Sequence, residues 1–417
     1  VLAPFADPII FLFLGSFILA RAMQVHRLDR RLAFLLLSLP AVSRSAHRIL
    51  FTFGAFCAFL SMWMSNTATT AMMLPIALGI IRAFPEPRNE KEKKHASNFA
   101  TSVMLMLAFS ASVGGIGTPV GTPPNLIGIG MMEKLLNIQI SFFSWMEMAL
   151  PLLVVMFLFL FLVMILLHPF SAVLMDISEW LKKEREKLGK WSWGEINCLV
   201  AFSLAVLLWI FPGFLSIIYG TQSDVYQGYN RILPEGIVAL LSAGLLFILP
   251  VDWKKSKFTL TWKEAIQIDW GTLLLFGGGL SLGNLMFQTG LAEEIGKGLL
   301  SLTRAQSLWS ITASSAILGI LISETTSNTA SANMVVPVMI ALAKTAGVSA
   351  VLPALAGTLG ASFGFMLPVS TPPNAIVYGS GLVSLQKMLR AGISFDFIGF
   401  FIIFFGLRLL APLFGWV

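Results

Sequence analysis

Long apolar runs dominate this chain, and its polar positions gather in short breaks between them. Runs approaching a bilayer span occupy 8–20, 101–113, 148–168, 196–211, 236–250, 271–287 and 393–415. They predict an all-α polytopic membrane protein, since a helix satisfies its own backbone groups where lipid offers no partner. Two further segments, 46–82 and 305–343, are apolar on both sides of one tripeptide, Ser65-Asn66-Thr67 and Ser327-Asn328-Thr329. In the first, the two halves of about 15–19 residues are marginal for a full span. Each segment therefore predicts a re-entrant helical hairpin with the tripeptide at its tip. The stretches 97–131 and 350–380 are interrupted differently. Gly114 to Pro124 holds four glycines and three prolines, which cannot continue a helix, so half-helices should flank unwound backbone. The amphipathic stretches 28–39 and 291–303 predict interfacial arms, and 176–190 a charged cytoplasmic arm.

The breaks are duplicated in order. Thr122-Pro123-Pro124-Asn125 follows the first tripeptide and Thr371-Pro372-Pro373-Asn374 the second, at spacings of 262 residues between tripeptides and 249 between the proline motifs. Phe13, Gly15, Met23 and Leu28 match Phe276, Gly278, Met286 and Leu291 at a constant offset of 263, and Pro75 matches Pro337 at 262. Two structural repeats follow, the architecture in which transporters set a binding site where broken helices meet near the midplane. The second repeat has helices at 195–211 and 235–250 ahead of its Phe276 region. Repeat symmetry therefore predicts that roughly 70 residues with two helices precede Val1 in the complete protein.

Charge orients the repeats. Hydrophobic residues make up 56% of the 417 and charged residues 12%, about half the charged share of a soluble domain. With the clusters at 21–48, 82–94, 182–190, 254–263 and 387–390 in the cytosol, Lys and Arg divide 22 to 6; Lys134, Arg231, Lys297, Arg304, Lys344 and Arg408 form the minority. The net charge of +7 thus reflects the positive-inside bias, and no nucleic-acid partner is implied. The first hairpin has basic flanks on both sides and the second almost none, so they enter from opposite faces, as inverted-topology repeats require. Cys57 and Cys198 lie in apolar runs as core residues, and His26, His47, His95 and His168 lack metal-ligand spacing.

Serine, asparagine and threonine at a tip offer hydroxyls, an amide and unpaired backbone groups. The helix that starts there presents its positive dipole end to an anion, and the helix that ends there presents carbonyl oxygens suited to a small hard cation. Neither tip nor either proline motif contains Arg or Lys, so bound cations would supply the formal positive charge, the basis for cation-coupled anion transport. Two helix starts facing one pocket favour a short C4-type dicarboxylate over lactate. Compact sulfate fits less well across two separated tips. These tripeptides are also good helix caps, but duplication beside a second shared motif argues for more than capping. Glu324, next to the second tip, is read as a structural hydrogen-bonding group rather than a proton carrier, because Met62 takes its place at the first tip.

The stretches Ser65 to Thr70, Ser327 to Ala330, and Ala361 through Ser370 to Val377 make the chain similar to the divalent anion/sodium symporters, the family of dicarboxylate, citrate and sulfate carriers. The resemblance covers nearly the whole chain. It implies a homodimer in the plasma membrane (bacterial inner membrane), with a fixed scaffold, 1–45 and 191–303, and an elevator-like transport domain, 46–190 and 304–417. Carried over by position, one sodium site would use Ser61, Ser65, Asn66 and Gly121, and the other Ser323, Thr326, Asn328 and Ser370. The dianion would contact Ser65, Asn66, Thr67, Ser327, Asn328 and Thr329, with Thr122, Pro123, Thr371 and Pro372 lining the same pocket. Na+ is the implied co-transported ion.

A sodium-independent dicarboxylate exchanger of the same fold is the nearest rival, and succinate, citrate, tartrate and sulfate remain open as cargo. A channel would need a continuous pore, which two hairpins from opposite faces do not make. No Ser/His or intramembrane Asp pair is placed for catalysis, so an enzyme is not expected.

Overall fold

The fold was read from a computed structural model describing residues 3–39, 42, 45–83, 87–170, 178–303 and 306–416. Arg44 and Arg304 of the charge pattern and Asp176 of the charged arm lie outside the described residues.

The chain is helical almost throughout. The first half runs α1 (Pro8–Val25), α2 (Leu28–Leu37), α3 (Ala46–Ser61), α4 (Asn66–Arg82), α5 (Glu90–Gly115), α6 (Pro123–Leu136), α7 (Phe142–Leu167) and α8 (Ser178–Lys187). A middle section follows with α9 (Trp193–Tyr219), α10 (Asp224–Ile232) and α11 (Glu235–Ile248), a two-stranded hairpin of β1 (Pro250–Asp252) and β2 (Lys257–Phe258), then α12 (Trp262–Ala265), α13 (Trp270–Gln288) and α14 (Leu291–Thr303). The last part comprises α15 (Leu308–Thr325), α16 (Asn328–Thr345), α17 (Val351–Gly360), α18 (Pro372–Gly379) and α19 (Leu385–Leu410). Among the described residues seven helices are long and apolar enough to cross a membrane, or eight if α10 and α11, bent by 49°, form one span.

Both tripeptides open a helix. Ser65 is the N-cap of α4 and its Oγ accepts the Ala68 N–H at 3.2 Å. Ser327 caps α16 with the same bond from Ala330 at 3.2 Å. The motif is therefore less unwound than the tip reading expects: asparagine and threonine already belong to the following helix, and the gap is confined to residues 62–65 and 326–327. Capping and tip are compatible, because a polar cap is the cheapest way to satisfy a buried helix start.

Helix α5 is the axis around which the site is arranged. Met104, Leu105, Met106, Leu107 and Ala108 are all fully buried, and α5 packs against α3, α4, α7 and α18. Close approach to α3 requires glycine, since a Cβ on Gly114 would meet the Ala58 carbonyl oxygen at 2.1 Å. The half-helices cross over between the repeats: α6 packs on α16 and α17, and α18 packs on α4 and α5. Exposed Leu166, Leu207 and Leu409 on α7, α9 and α19 form the apolar surface that a bilayer covers.

Candidate transport site

At each tip a serine in the last turn of the incoming helix reaches the asparagine of the tripeptide. Ser61 Oγ donates to Asn66 Oδ1 at 2.8 Å, and Ser323 Oγ donates to Asn328 Oδ1 at the same 2.8 Å. Ser323 also contacts the Ala361 carbonyl at 2.9 Å, tying its tip to the second break.

The breaks repeat one another as closely. Asn125 Nδ2 donates to the carbonyls of Gly115 at 2.9 Å and Thr118 at 2.7 Å. Asn374 Nδ2 donates to Gly364 at 2.9 Å and Leu367 at 3.0 Å. Each asparagine staples the unwound loop to the start of its own half-helix, meeting orphan carbonyls that a broken helix leaves in the interior. These two residues were not among the expected site residues, although both stand in the quoted motif. Their donor role depends on how the loop folds back, which spacing does not display.

The first tip and first break form a cradle of oxygens. A Cβ built on Gly121 would lie 2.5 Å from the Gly115 carbonyl oxygen and 2.9 Å from those of Ser61 and Met62. A Cβ on Gly115 would strike Asn66 Oδ1 at 2.4 Å. Thr118 Oγ1 donates to the Met62 carbonyl. Ser61, Asn66 and Gly121 are thus neighbours, among uncharged oxygens that fit an alkali cation. No group of three or more His, Cys, Asp or Glu is placed to hold a metal among the described residues.

The second tip is built around Glu324. Its Oε1 accepts the Phe365 N–H at 2.5 Å and the Met366 N–H at 2.9 Å, and its Oε2 accepts the Ser370 hydroxyl at 2.6 Å. These bonds match the expected structural role. A Cβ on Gly364 would lie 3.2 Å from both Asn328 Oδ1 and Ser370 Cβ, so Asn328 and Ser370 share one neighbourhood. Thr326 turns back to the Ile322 carbonyl at 2.8 Å. Thr122 and Thr371 are buried N-caps of α6 and α18, and Thr329 is buried in α16. Pro123 and Pro372 open the two half-helices, where a missing N–H is harmless.

A cleft of about 500 Å³ reaches this assembly. Ser65, Thr67 and Pro372 line it, with Phe17, Ala20, Arg21 and Gln24 of α1 and residues 267–269 ahead of α13. It therefore joins the first tip to the second break through the wall formed by α1. Arg21 is an addition to the expected residues, since the motifs carry no cation.

A family profile described as the sodium:sulfate symporter transmembrane region matches residues 1–416. The chain is 34% identical over 416 residues to a sodium-dependent dicarboxylate transporter, SdcS, of Staphylococcus saprophyticus, covering 99% of this chain and 78% of the relative. It is 33% identical over 411 residues to SdcS of Staphylococcus aureus strain USA300, covering 97% and 76%. It is 35% identical over 396 residues to an uncharacterized transporter of Haemophilus influenzae, covering 94% and 78%. With its apolar spans, the chain is a multi-pass protein of the plasma membrane and a transporter rather than an enzyme, and it belongs to the sodium:sulfate symporter family.

Proposed function

We propose that the protein carries small divalent anions, foremost C4-dicarboxylates such as succinate, by sodium-coupled symport. The observation that carries this reading is the matched pair of tip–asparagine bonds, each 2.8 Å, set beside breaks rich in uncharged oxygens. Sodium fits a cradle of carbonyls, hydroxyls and amides as a hard cation taking oxygen ligands. Ser61, Ser65, Asn66 and Gly121 would hold one ion, and Ser323, Thr326, Asn328 and Ser370 the other. The anion would meet the starts of α4 and α16, with Thr122, Pro123, Thr371 and Pro372 nearby. Relatives named sodium-dependent dicarboxylate transporters favour dicarboxylate over the sulfate of the family description.

The same reading assigns motion. Residues 46–190 and 304–417 would form the moving unit, and 1–45 and 191–303 the scaffold of a homodimer, with inverted repeats making an elevator-like exchange of access. The crossing of α18 onto α4 and of α6 onto α16 supports one body containing both tips. The tips should lie within about 10–15 Å of each other, the reach of one small ligand and its ions.

Competition against labelled succinate uptake tests the cargo. Unlabelled succinate should compete best, sulfate less and lactate least. Lactate competing as well as succinate would remove the two-tip basis of recognition.

A further inference from the structure

We propose that Asp7 and Lys134 form an outer-face latch, an ion pair that ties the moving unit to the scaffold in a cytosol-open state and breaks when the site changes sides. The inference rests on the transport reading above, with its scaffold and moving unit, and adds a device that selects between their two arrangements.

With the basic clusters in the cytosol, α1 runs from an outer start at Pro8 to a cytosolic end at Val25, and Lys134 belongs to the outer minority. Asp7 is the N-cap of α1, where its Oδ1 accepts the Ile9 N–H at 3.0 Å. Its Oδ2 meets Lys134 Nζ, from the last turn of α6, at 2.7 Å. The aspartate side chain is 2% exposed and the lysine side chain 41%, so the acid is covered while the cation stays within reach of water. Helix α6 is seated closely on the scaffold here: a Cβ on Gly130 would lie 3.3 Å from both Ile9 Cδ1 of α1 and Phe276 Cζ of α13. In that seat Asp7 without Lys134 would be a buried charge lacking a counter-ion, which is costly. The pair therefore favours the seated state. A second scaffold carboxylate acts on the same face. Glu235 Oε1, at the start of α11, accepts the Phe142 N–H at the start of α7 at 2.5 Å, meeting an orphan donor of that helix.

The second repeat supplies the contrast. Helix α13 is the counterpart of α1, and Asp269 caps it as Asp7 caps α1. Yet Asp269 is exposed and makes no ion pair among the described residues. It lines the cleft that also contains Ser65 and Thr67 of the first tip and Arg21 and Gln24 from the cytosolic end of α1. One capping aspartate is thus clamped to the moving unit at the outer face, while its counterpart stands at an open cleft on the cytosolic face. Among the described residues one other ion pair joins the two units, Arg30 with Glu184 at 3.4 Å. Glu184 lies in α8, the arm that leads directly into scaffold helix α9, so that pair sits beside the covalent joint between the units.

The test uses the full chain in proteoliposomes with Asp7→Cys and Lys134→Cys, singly and together, treated with methanediyl bis-methanethiosulfonate; Cys57 and Cys198 are buried and give little background. The bridged double variant should lose sodium-driven succinate uptake about tenfold or more, because one state is trapped, and regain it on reduction with dithiothreitol. Each treated single variant should stay close to its untreated form. In oriented vesicles the bridged protein should still bind labelled succinate when sodium and succinate are presented on the cytosolic side, and not when they are presented on the outer side. A bridge that only distorted the fold would abolish binding from both. The ion pair itself is tested by Asp7→Asn, which keeps the cap and removes the charge. It should lower the KM for external succinate about threefold, the scale of a partly exposed ion pair, as the outward-open fraction rises. Lys134→Arg should keep the wild-type KM, and a purely structural pair would leave or raise KM on removal. Undiminished uptake by the bridged protein, binding from the outer side or from neither, failure to bridge where each single cysteine reacts, or an unlowered KM in Asp7→Asn overturns the inference and leaves wild-type sodium-driven uptake intact. If wild type shows no sodium-driven uptake of any dianion, the transport reading fails and the inference falls with it.

Discussion

Replacing Gly121 by alanine adds one methyl group at the point where three backbone carbonyls converge. The new Cβ would sit 2.5 Å from the Gly115 oxygen and 2.9 Å from those of Ser61 and Met62. All three obstacles are backbone, so no side chain can swing away, and the nearest must retreat to at least 3.0 Å. Gly121 is not among the positive-φ residues, so alanine brings no dihedral strain and the steric effect stands alone. Overpacking of this kind costs about 1–3 kcal/mol. If that strain falls on the state that binds sodium, affinity drops about 5- to 150-fold at 1.4 kcal/mol per decade. The assay is the sodium concentration for half-maximal succinate uptake in proteoliposomes, with thermal unfolding measured in parallel. Gly244→Ala is the control, since a Cβ there meets nothing within 4 Å and the residue lies inside α11. A folded Gly121→Ala protein with wild-type sodium half-saturation would refute the cradle as an ion site.

Three further outcomes follow from the same geometry. Asn66→Ala and Asn328→Ala should weaken sodium dependence and substrate affinity together, by about 1–3 kcal/mol each, because each amide is assigned to both cargoes; titrations of sodium and succinate on each variant check this. Asn125→Ala and Asn374→Ala each delete two staples to break carbonyls, and thermal unfolding should show a loss of about 1–3 kcal/mol at 0.5–1.5 per bond. Asp29, in helix α2, is buried, and desolvation outweighs its neighbouring amides and arginines to raise its carboxyl to about 6. An acid with a raised folded pKa is tolerated neutral at low pH and penalised once charged, so its cost appears as pH rises from about 4 to above 6. Asp29→Asn should therefore stabilise the protein at pH 8, by at most about 3 kcal/mol for two units, and leave it unchanged near pH 4; denaturation at the two pH values reads the sign.

Much of this site was legible because its residues violate their surroundings. Serine, asparagine, glycine and proline in apolar runs announce helix ends, and the observed breaks at 116–122 and 361–371 fall where glycine and proline cluster. Helix α5 begins seven residues before the expected 97, because Asn89 caps it with a bond to Glu92 at 2.8 Å and its charged first turns carry no apolar signal. Helix α10 and the β1–β2 hairpin were not anticipated for the same reason. Arg21 was counted only in the cytosolic charge pattern. That it shares a cleft with Ser65 and Thr67 is a matter of tertiary folding that no local spacing encodes. The asparagines of the proline motifs were visible as letters, but their donor role exists only once the loops fold back.

The central claim, sodium-coupled transport of a dianion, is tested most directly by labelled succinate uptake into proteoliposomes with sodium outside only, compared with equal sodium on both sides and with succinate-loaded vesicles lacking sodium. The account predicts accumulation above equilibrium only under the inward sodium gradient. Counterflow into succinate-loaded vesicles without sodium, undiminished relative to sodium-driven uptake, would contradict it and identify a sodium-independent exchanger.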